Sequence, residues 1–405
     1  MPTVYFRNTG PGVSNQLTSP HYRLETISER GAGFVFQSGA AAYDAADGPW
    51  QVELTFQGAN GYVLEQGPNS GDLFFTSGKI VSYRFLGDDG EEWLLADGLA
   101  ASLPKFSASL AVGAPLDALL EGLVTGKTVF SGRATPELSD DIWTASGSDT
   151  VQGRGGDDTF RDAGGRDTYK GGAGFDTLDY SGNMATKQGI VARLDKRSVT
   201  GPDEKTDSLK SVEAIGGTAQ KDRFTGDRES NTFYGFQGSD RMDGKGGYDE
   251  VDHRFDADFG GTSGIIADLA AGRVRDGFGT TDRITKIEGV VGTAFADTFF
   301  DNGANNYFFA GQGADLVFLG SGNDVVNLAS DAGETDTIVF RGENFGTNTV
   351  YGFGAEDLLD IDLASALSDL TISQQGNDAH IAFMDSRIVL IDVTAADLTA
   401  ETFGF

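Results

Sequence analysis

Four aspartates, Asp149, Asp158, Asp167 and Asp176, stand nine residues apart, and each keeps the same neighbours. Two places before each is a glycine (Gly147, Gly156, Gly165, Gly174), and two places after each is an apolar side chain (Val151, Phe160, Tyr169, Leu178). A short strand of this kind buries one apolar side chain while the glycine-rich half turns the chain through conformations with φ > 0. Two units make one coil of eighteen residues. Coils stacked at about 4.8 Å place the apolar column inside and the carboxylates along two rims of turns.

The period returns twice. The second block carries Asp222, Asn231, Asp240 and Asp249 with Phe224, Phe233, Met242 and Val251, and the third carries Asp297, Asn306, Asp315 and Asp324 with Phe299, Phe308, Val317 and Val326. The first Asp residues of the blocks lie 73 and 75 residues apart, close to four coils, which predicts that the intervening segments continue the stack with small insertions. Those segments repeat as well: residues 207–219, from Asp207-Ser-Leu to Gly-Thr-Ala219, match residues 282–294. About ten coils over residues 147–328 correspond to a rod on the order of 50 Å long.

The nonapeptide resembles the G-G-x-G-x-D-x-U-x unit of the RTX, or hemolysin-type, calcium-binding repeat proteins. A flexible glycine-rich linker keeps no such register. The resemblance implies an all-β chain built on a calcium-binding parallel β-roll, several bound Ca2+ ions and export by type I secretion machinery from a Gram-negative bacterium. The expected ligands are the sixth-position residues Asp149, Asp158, Asp167, Asp176, Asp222, Asn231, Asp240, Asp249, Asp297, Asn306, Asp315 and Asp324, paired eighteen apart along one rim, with glycine carbonyls completing each shell. The pairs Asn231 with Asp249 and Asn306 with Asp324 hold one neutral amide each, so weaker or differently ligated sites are expected there, unless the Asn serve only as turn residues.

Charge agrees with a cationic partner. The 61 acidic and 30 basic residues leave a formal charge of -31, which argues against nucleic acid or an anionic membrane and for self-repulsion until cations bind. With 58 Gly and only 9 Pro the bias is to a turn-dense β architecture, and 29 Phe supply most of the aromatic core. No Cys is present, so metal is the expected staple. The first residues show no basic stretch leading into an apolar one, and the most apolar region, residues 99–124, is broken by Pro104, Lys105, Pro115, Asp117 and Glu121, so no membrane span is expected.

Three regions follow. Residues 1–140 read as a β-rich N-terminal region, with strand-like alternation in residues 50–56 and 79–85 and a short helix at 115–123. Residues 141–335 form the roll, with blocks at 147–179, 220–252 and 295–328. Residues 336–405 read as a β cap that resembles the C-terminal export region of RTX proteins.

Catalytic signatures fail. His21, His253 and His380 are scattered with no H-E-x-x-H, and no G-x-S-x-G occurs. Residues 121–128, ending Gly-Lys-Thr128, approach a P-loop but carry Glu121 at the first required glycine, and Lys127 reads as a solvated charge. Trp50, Trp93 and Trp143 read as core; an exposed tryptophan would instead favour a sugar-binding face. The reading that results is a secreted, non-enzymatic, calcium-binding structural protein that self-associates at the cell surface, as a surface layer, sheath or matrix. The alternatives are a polysaccharide-active enzyme or an adhesin for a cell-surface glycan, carried on the same rod.

Overall fold

The computed structural model describes residues 139–144, 147–182, 186–329 and 334–404, and within residues 1–138 the backbone of seven strands. The helix expected at 115–123, Trp50, the side chain of Trp93 and the near-P-loop at 121–128 lie outside the described residues. Strands Gln51–Val63 and Leu73–Leu86 hold residues 51–56 and 79–85 of the two alternating stretches and pair antiparallel, Val52 opposite Phe85. Two compact units result, one of residues 1–179 with 203–212, the other of residues 180–202 with 213–405.

In the first unit the chain alternates between two parallel sheets. Thr150–Gly155, Thr168–Ala173 and Thr206–Lys210 lie side by side in one, and Asp141–Trp143, Thr159–Arg161 and Thr177–Asp179 in the other. Partner residues are eighteen apart within the block, Phe160 opposite Leu178 and Val151 opposite Tyr169. The eighth-position side chains Val151, Phe160, Tyr169 and Leu178 are fully buried, and the Phe160 and Tyr169 rings approach to 5.7 Å.

The second unit repeats the scheme. Arg223–Thr225 and Arg241–Asp243 pair in one sheet and Ala214–Gly216, Thr232–Tyr234 and Glu250–Asp252 in the other, followed by Gly289–Val291, Tyr307–Phe309 and Val325–Asn327. Phe224 meets Phe233 at 5.4 Å and Phe299 meets Phe308 at 5.3 Å, so the Phe-rich eighth positions fill the interior. The result is a parallel β-roll.

The insertions are larger than expected. Tyr169 pairs with Leu209 and Met242 with Ile284, steps of 40 and 42 residues where eighteen is the rule. The excess includes a β-hairpin each time, Val191–Arg193 with Ser198–Thr200 and Ile266–Asp268 with Arg273–Arg275. Parallel pairing also continues beyond residue 335, through Thr337–Phe340 and Leu358–Ile361, in steps of 21. Only then does the antiparallel set Thr371–Gln375, Asp378–Phe383 and Ser386–Leu390 finish the second sheet. No helix among the described residues is long and apolar enough to cross a membrane.

Candidate metal centre

The sixth-position residue precedes each short strand, where its backbone N–H has no partner in its own turn. The carboxylate one coil later supplies that partner. Asp149 N–H donates to Asp167 Oδ1 at 2.6 Å, Asp158 to Asp176 at 3.0 Å, Asp222 to Asp240 at 2.8 Å, Asn231 to Asp249 at 3.0 Å, Asp297 to Asp315 at 2.7 Å and Asn306 to Asp324 at 2.8 Å. All six pairs expected from the eighteen-residue spacing are therefore brought together, and all twelve residues are buried.

That bond uses one carboxylate oxygen. The other, Oδ2, is buried and accepts no hydrogen bond among the described residues in Asp158, Asp240, Asp249 and Asp324. Glycine backbone lies against it: a Cβ on Gly153 would overlap Asp158 Oδ2 and come within 2.8 Å of the Gly171 carbonyl oxygen, and a Cβ on Gly244 would overlap both Asp249 Oδ2 and the Lys286 carbonyl oxygen. Carboxylate and carbonyl oxygens thus crowd one side-chain-free space, the donor set a hard divalent cation requires. Burial, more than any neighbour, pushes these acids upward: Asp158, Asp249 and Asp324 to about 7 and Asp167 to about 8. Asp240 is also raised, by burial and by the charge of Asp282. Near neutral pH such groups need either a proton or a cation. The residues present fit Ca2+, with Asp158, Asp167, Asp240, Asp249 and Asp324 the side chains placed to hold it.

Four of the expected ligands are placed differently. Asp222 Oδ1 accepts from the Ile190 N–H at 2.6 Å and its Oδ2 from the Thr218 N–H at 2.7 Å. Asp297 is held in the same way by Ile265 at 2.6 Å and Thr293 at 2.7 Å. Both carboxylates are satisfied by protein donors, and the Thr218 and Thr293 hydroxyls add to this at 3.1 and 3.0 Å. Asn231 Oδ1 accepts from the Asp227 N–H at 2.9 Å and Asn306 Oδ1 from the Asn302 N–H at 3.3 Å, while each Nδ2 donates to a carbonyl one coil back, Glu213 or Glu288. Neither Asn has positive φ. The amides serve as turn and ladder bridges, because an amide, unlike an ionised carboxylate, both accepts and donates. Replacing Asp222 by Ala is therefore expected to lower stability by about 1–3 kcal/mol, the cost of stranding buried N–H groups, with calcium stoichiometry unchanged; Asp249→Ala is expected to remove one bound ion. Calorimetric titration of the two variants separates the roles.

The ladder also runs where no nonapeptide exists. Asp167 N–H donates to Asp207 Oδ1 at 2.7 Å, Asp240 to Asp282 at 2.8 Å, Asp249 to Glu288 Oε2 at 3.0 Å, Asp315 to Asp336 at 2.8 Å, Asp336 to Asp357 at 2.9 Å and Asp324 to Asn348 Oδ1 at 2.7 Å. The signal was present as acid-x-apolar triplets, such as Asp207-Ser-Leu209 and Asp336-Thr-Ile338, without the glycines. In the first unit the buried carboxylates of Asp162, Asp167 and Asp207 have oxygens within 4.8 Å of one another. The Tyr169 hydroxyl donates to Asp162 at 2.9 Å and lies 3.3 Å from Asp167 Oδ2. Trp143 is not core: it is 61 % exposed, with the Arg161 guanidinium 5.1 Å from its ring centre.

Residues 143–178, 216–251 and 291–326 match the family model described as RTX calcium-binding nonapeptide repeat (4 copies). No curated protein matches the chain. Among solved structures, the extracellular lipase LipA from Serratia marcescens aligns at 16 % identity and a TM-score of 0.15, over 69 % of this chain and 39 % of the lipase chain. The chain thus carries RTX calcium-binding nonapeptide repeats in three blocks, and calcium is the ion those repeats bind.

Proposed function

We propose that this is a secreted, non-enzymatic structural protein, exported by type I machinery from a Gram-negative cell, whose roll sets in extracellular calcium and whose set form self-associates. The observation that supports this is the ladder of buried carboxylates, with Oδ2 atoms of Asp158, Asp240, Asp249 and Asp324 lacking a donor among the described residues. Such a ladder is unfavourable where calcium is scarce and favourable where it is plentiful, so folding is coupled to leaving the cell. The formal charge of -31 keeps unloaded chains apart, and each bound ion removes two charges.

Raising calcium from below 0.01 to about 10 mM, on the scale of extracellular calcium modules, is expected to convert a monomer into particles large enough for light scattering to follow, reversibly with EGTA. A calcium-loaded chain that stays monomeric at every concentration removes the assembly part of the reading and leaves the calcium part intact.

One observation favours a second reading, glycan binding: the exposed Trp143, whose ring is the kind of surface on which a sugar stacks. Retention of the calcium-loaded chain on immobilised cell-surface polysaccharide, lost in Trp143→Ala with circular dichroism unchanged, would favour the adhesin over the lattice.

A further inference from the structure

The residue that follows the last short strand of each block enters the core at an equivalent place. Tyr180 N–H donates to the Gly216 carbonyl at 3.0 Å, His253 N–H to the Val291 carbonyl at 3.0 Å and Leu328 N–H to the Tyr351 carbonyl at 3.0 Å. All three side chains are buried, so the place accepts an aromatic, an imidazole or an aliphatic group, and packing alone does not call for histidine.

What accompanies His253 is peculiar to the second insertion. Its Nδ1 lies 3.1 Å from Asp256 Oδ2, which also accepts the Gly277 N–H at 3.0 Å, and its Nε2 is buried with no hydrogen-bond partner among the described residues. Asp276, fully buried, accepts the Phe278 and Thr280 N–H groups at 3.1 and 2.7 Å. Aligning Asp207 with Asp282 sets Gly201 opposite Asp276, and aligning Tyr180 with His253 sets Asn183 opposite Asp256. The first insertion therefore lacks the imidazole and both acids together.

The charged groups that act on the ring are Asp256 from its short 3-10 helix, in contact with it, and, through their charge, Asp276 from the next turn, Asp282 from strand Thr281–Thr285, Asp297 from the third block and Asp252 from the preceding strand, the last already paired with Arg254 at 2.7 Å. The Oδ2 atom of Asp282, like that of Asp240, is buried without a hydrogen bond among the described residues. A fully buried neutral imidazole among these acids would leave their charge uncompensated.

We propose that His253 is a resident cation that offsets one charge among the buried acids of the second insertion, so that the coil closing on Asp282 orders without calcium. The charge is available over a wide range, since burial lowers the histidine but Asp256, then Asp282 and Asp276, outweigh it and push the ring up to about 9. A group raised in the folded state contributes in full below its unfolded value of 6.5, and that contribution is lost as pH rises through about 9. The coil would then be the seed from which calcium-dependent coils extend on both sides.

The inference rests on the reading that calcium orders the nonapeptide blocks, and hydrogen exchange of the whole chain in EGTA tests the two separately. At pH 7, amides of residues 250–291 are expected to keep at least about tenfold protection over their intrinsic rates while residues 147–179 exchange freely. Protection of both regions without calcium would overturn the calcium reading; exchange of both would overturn the proposal for His253. His253→Tyr, which copies Tyr180, and His253→Gln are both expected to lose the protection of 250–291 in EGTA while matching the native circular dichroism in calcium. Between pH 8 and 10 the native chain is expected to lose protection at this segment more steeply than His253→Gln. Equal protection in all three proteins, or identical pH profiles, refutes the proposal.

Discussion

In EGTA at pH 8 the nonapeptide blocks are expected to lose their β-sheet circular dichroism, and acidification of the same sample towards pH 5 is expected to return much of it with no metal added. The reason is the sign of the carboxylate shifts. Asp158, Asp249 and Asp324 are pushed up to about 7 and Asp167 to about 8, chiefly by burial. An acid whose folded value lies above its unfolded one binds its proton more tightly in the fold, so its contribution is complete below about 3.8 and is lost as pH rises through the folded value. At pH 8 the unloaded ladder holds these charges at its cost; at pH 5 protons remove them.

Calcium does the same work at higher pH. A site loaded at a hundred times its dissociation constant contributes about 2.7 kcal/mol, so a few such sites rival the stability of a whole domain, about 5–15 kcal/mol. Because ion and proton occupy the same oxygens, the calcium midpoint is expected to move to higher concentration as pH falls from 8 to 6. Asp249→Asn tests whether the effect is local rather than the general relief of a formal charge of -31. This variant copies the protonated acid, so at pH 8 its unloaded form is expected to be more ordered than the native chain, with one fewer calcium bound. An unloaded native chain whose circular dichroism is flat from pH 8 to 5 would show that the buried acids do not control folding.

The nine-residue period made the roll legible, because glycine, acid and apolar side chain recur together and each has its own physical task. It also predicted which residues meet, since eighteen residues is one coil and Phe160 does lie opposite Leu178. The fate of each carboxylate was legible only in part. Asp222 and Asp297 keep the apolar residue two places on but carry Gln220 and Phe295 where Asp240 has Gly238, and a threonine four residues earlier turns back onto each of them as the chain enters the block. The continuing ladder is hidden by the same loss: Asp207, Asp282, Asp336 and Asp357 keep the acid and the apolar residue but shed the glycines, so the rung survives where the turn is remodelled. Hairpin insertions of this size carry no period, and Ala192 and Ala267, their fully buried strand residues, are too small to stand out as core from sequence.

Gly244→Ala is expected to be among the most damaging single-methyl changes in the second block, whereas Gly246→Ala, two residues on, is expected to do almost nothing. Neither glycine has positive φ, so backbone preference does not separate them. Space does: a Cβ on Gly246 meets nothing within 4 Å, but one on Gly244 would overlap the Lys286 carbonyl oxygen and Asp249 Oδ2 and lie 2.6 Å from Asp249 Cβ. Two of those atoms are fixed, one by the backbone and one by the bond Asp249 makes to the Asn231 N–H at 3.0 Å, so the methyl group cannot be absorbed by a swing of a long side chain. Overpacking of this kind costs about 1–3 kcal/mol, a fall of roughly 2–12 °C in a unit of this size, while an unhindered surface change stays within about 0.5 kcal/mol. The same methyl group occupies the space bounded by the carboxylate and carbonyl oxygens, so Gly244→Ala is also expected to bind one calcium ion fewer. Lys245, between the two, sits at φ 77, and Lys245→Gly is expected to raise stability by up to about 1 kcal/mol by removing a side chain from the left-handed region. Thermal melts with calcium counting on the three variants decide the matter: if Gly244→Ala melts with Gly246→Ala and keeps every ion, the crowded space beside Asp249 is not a binding site.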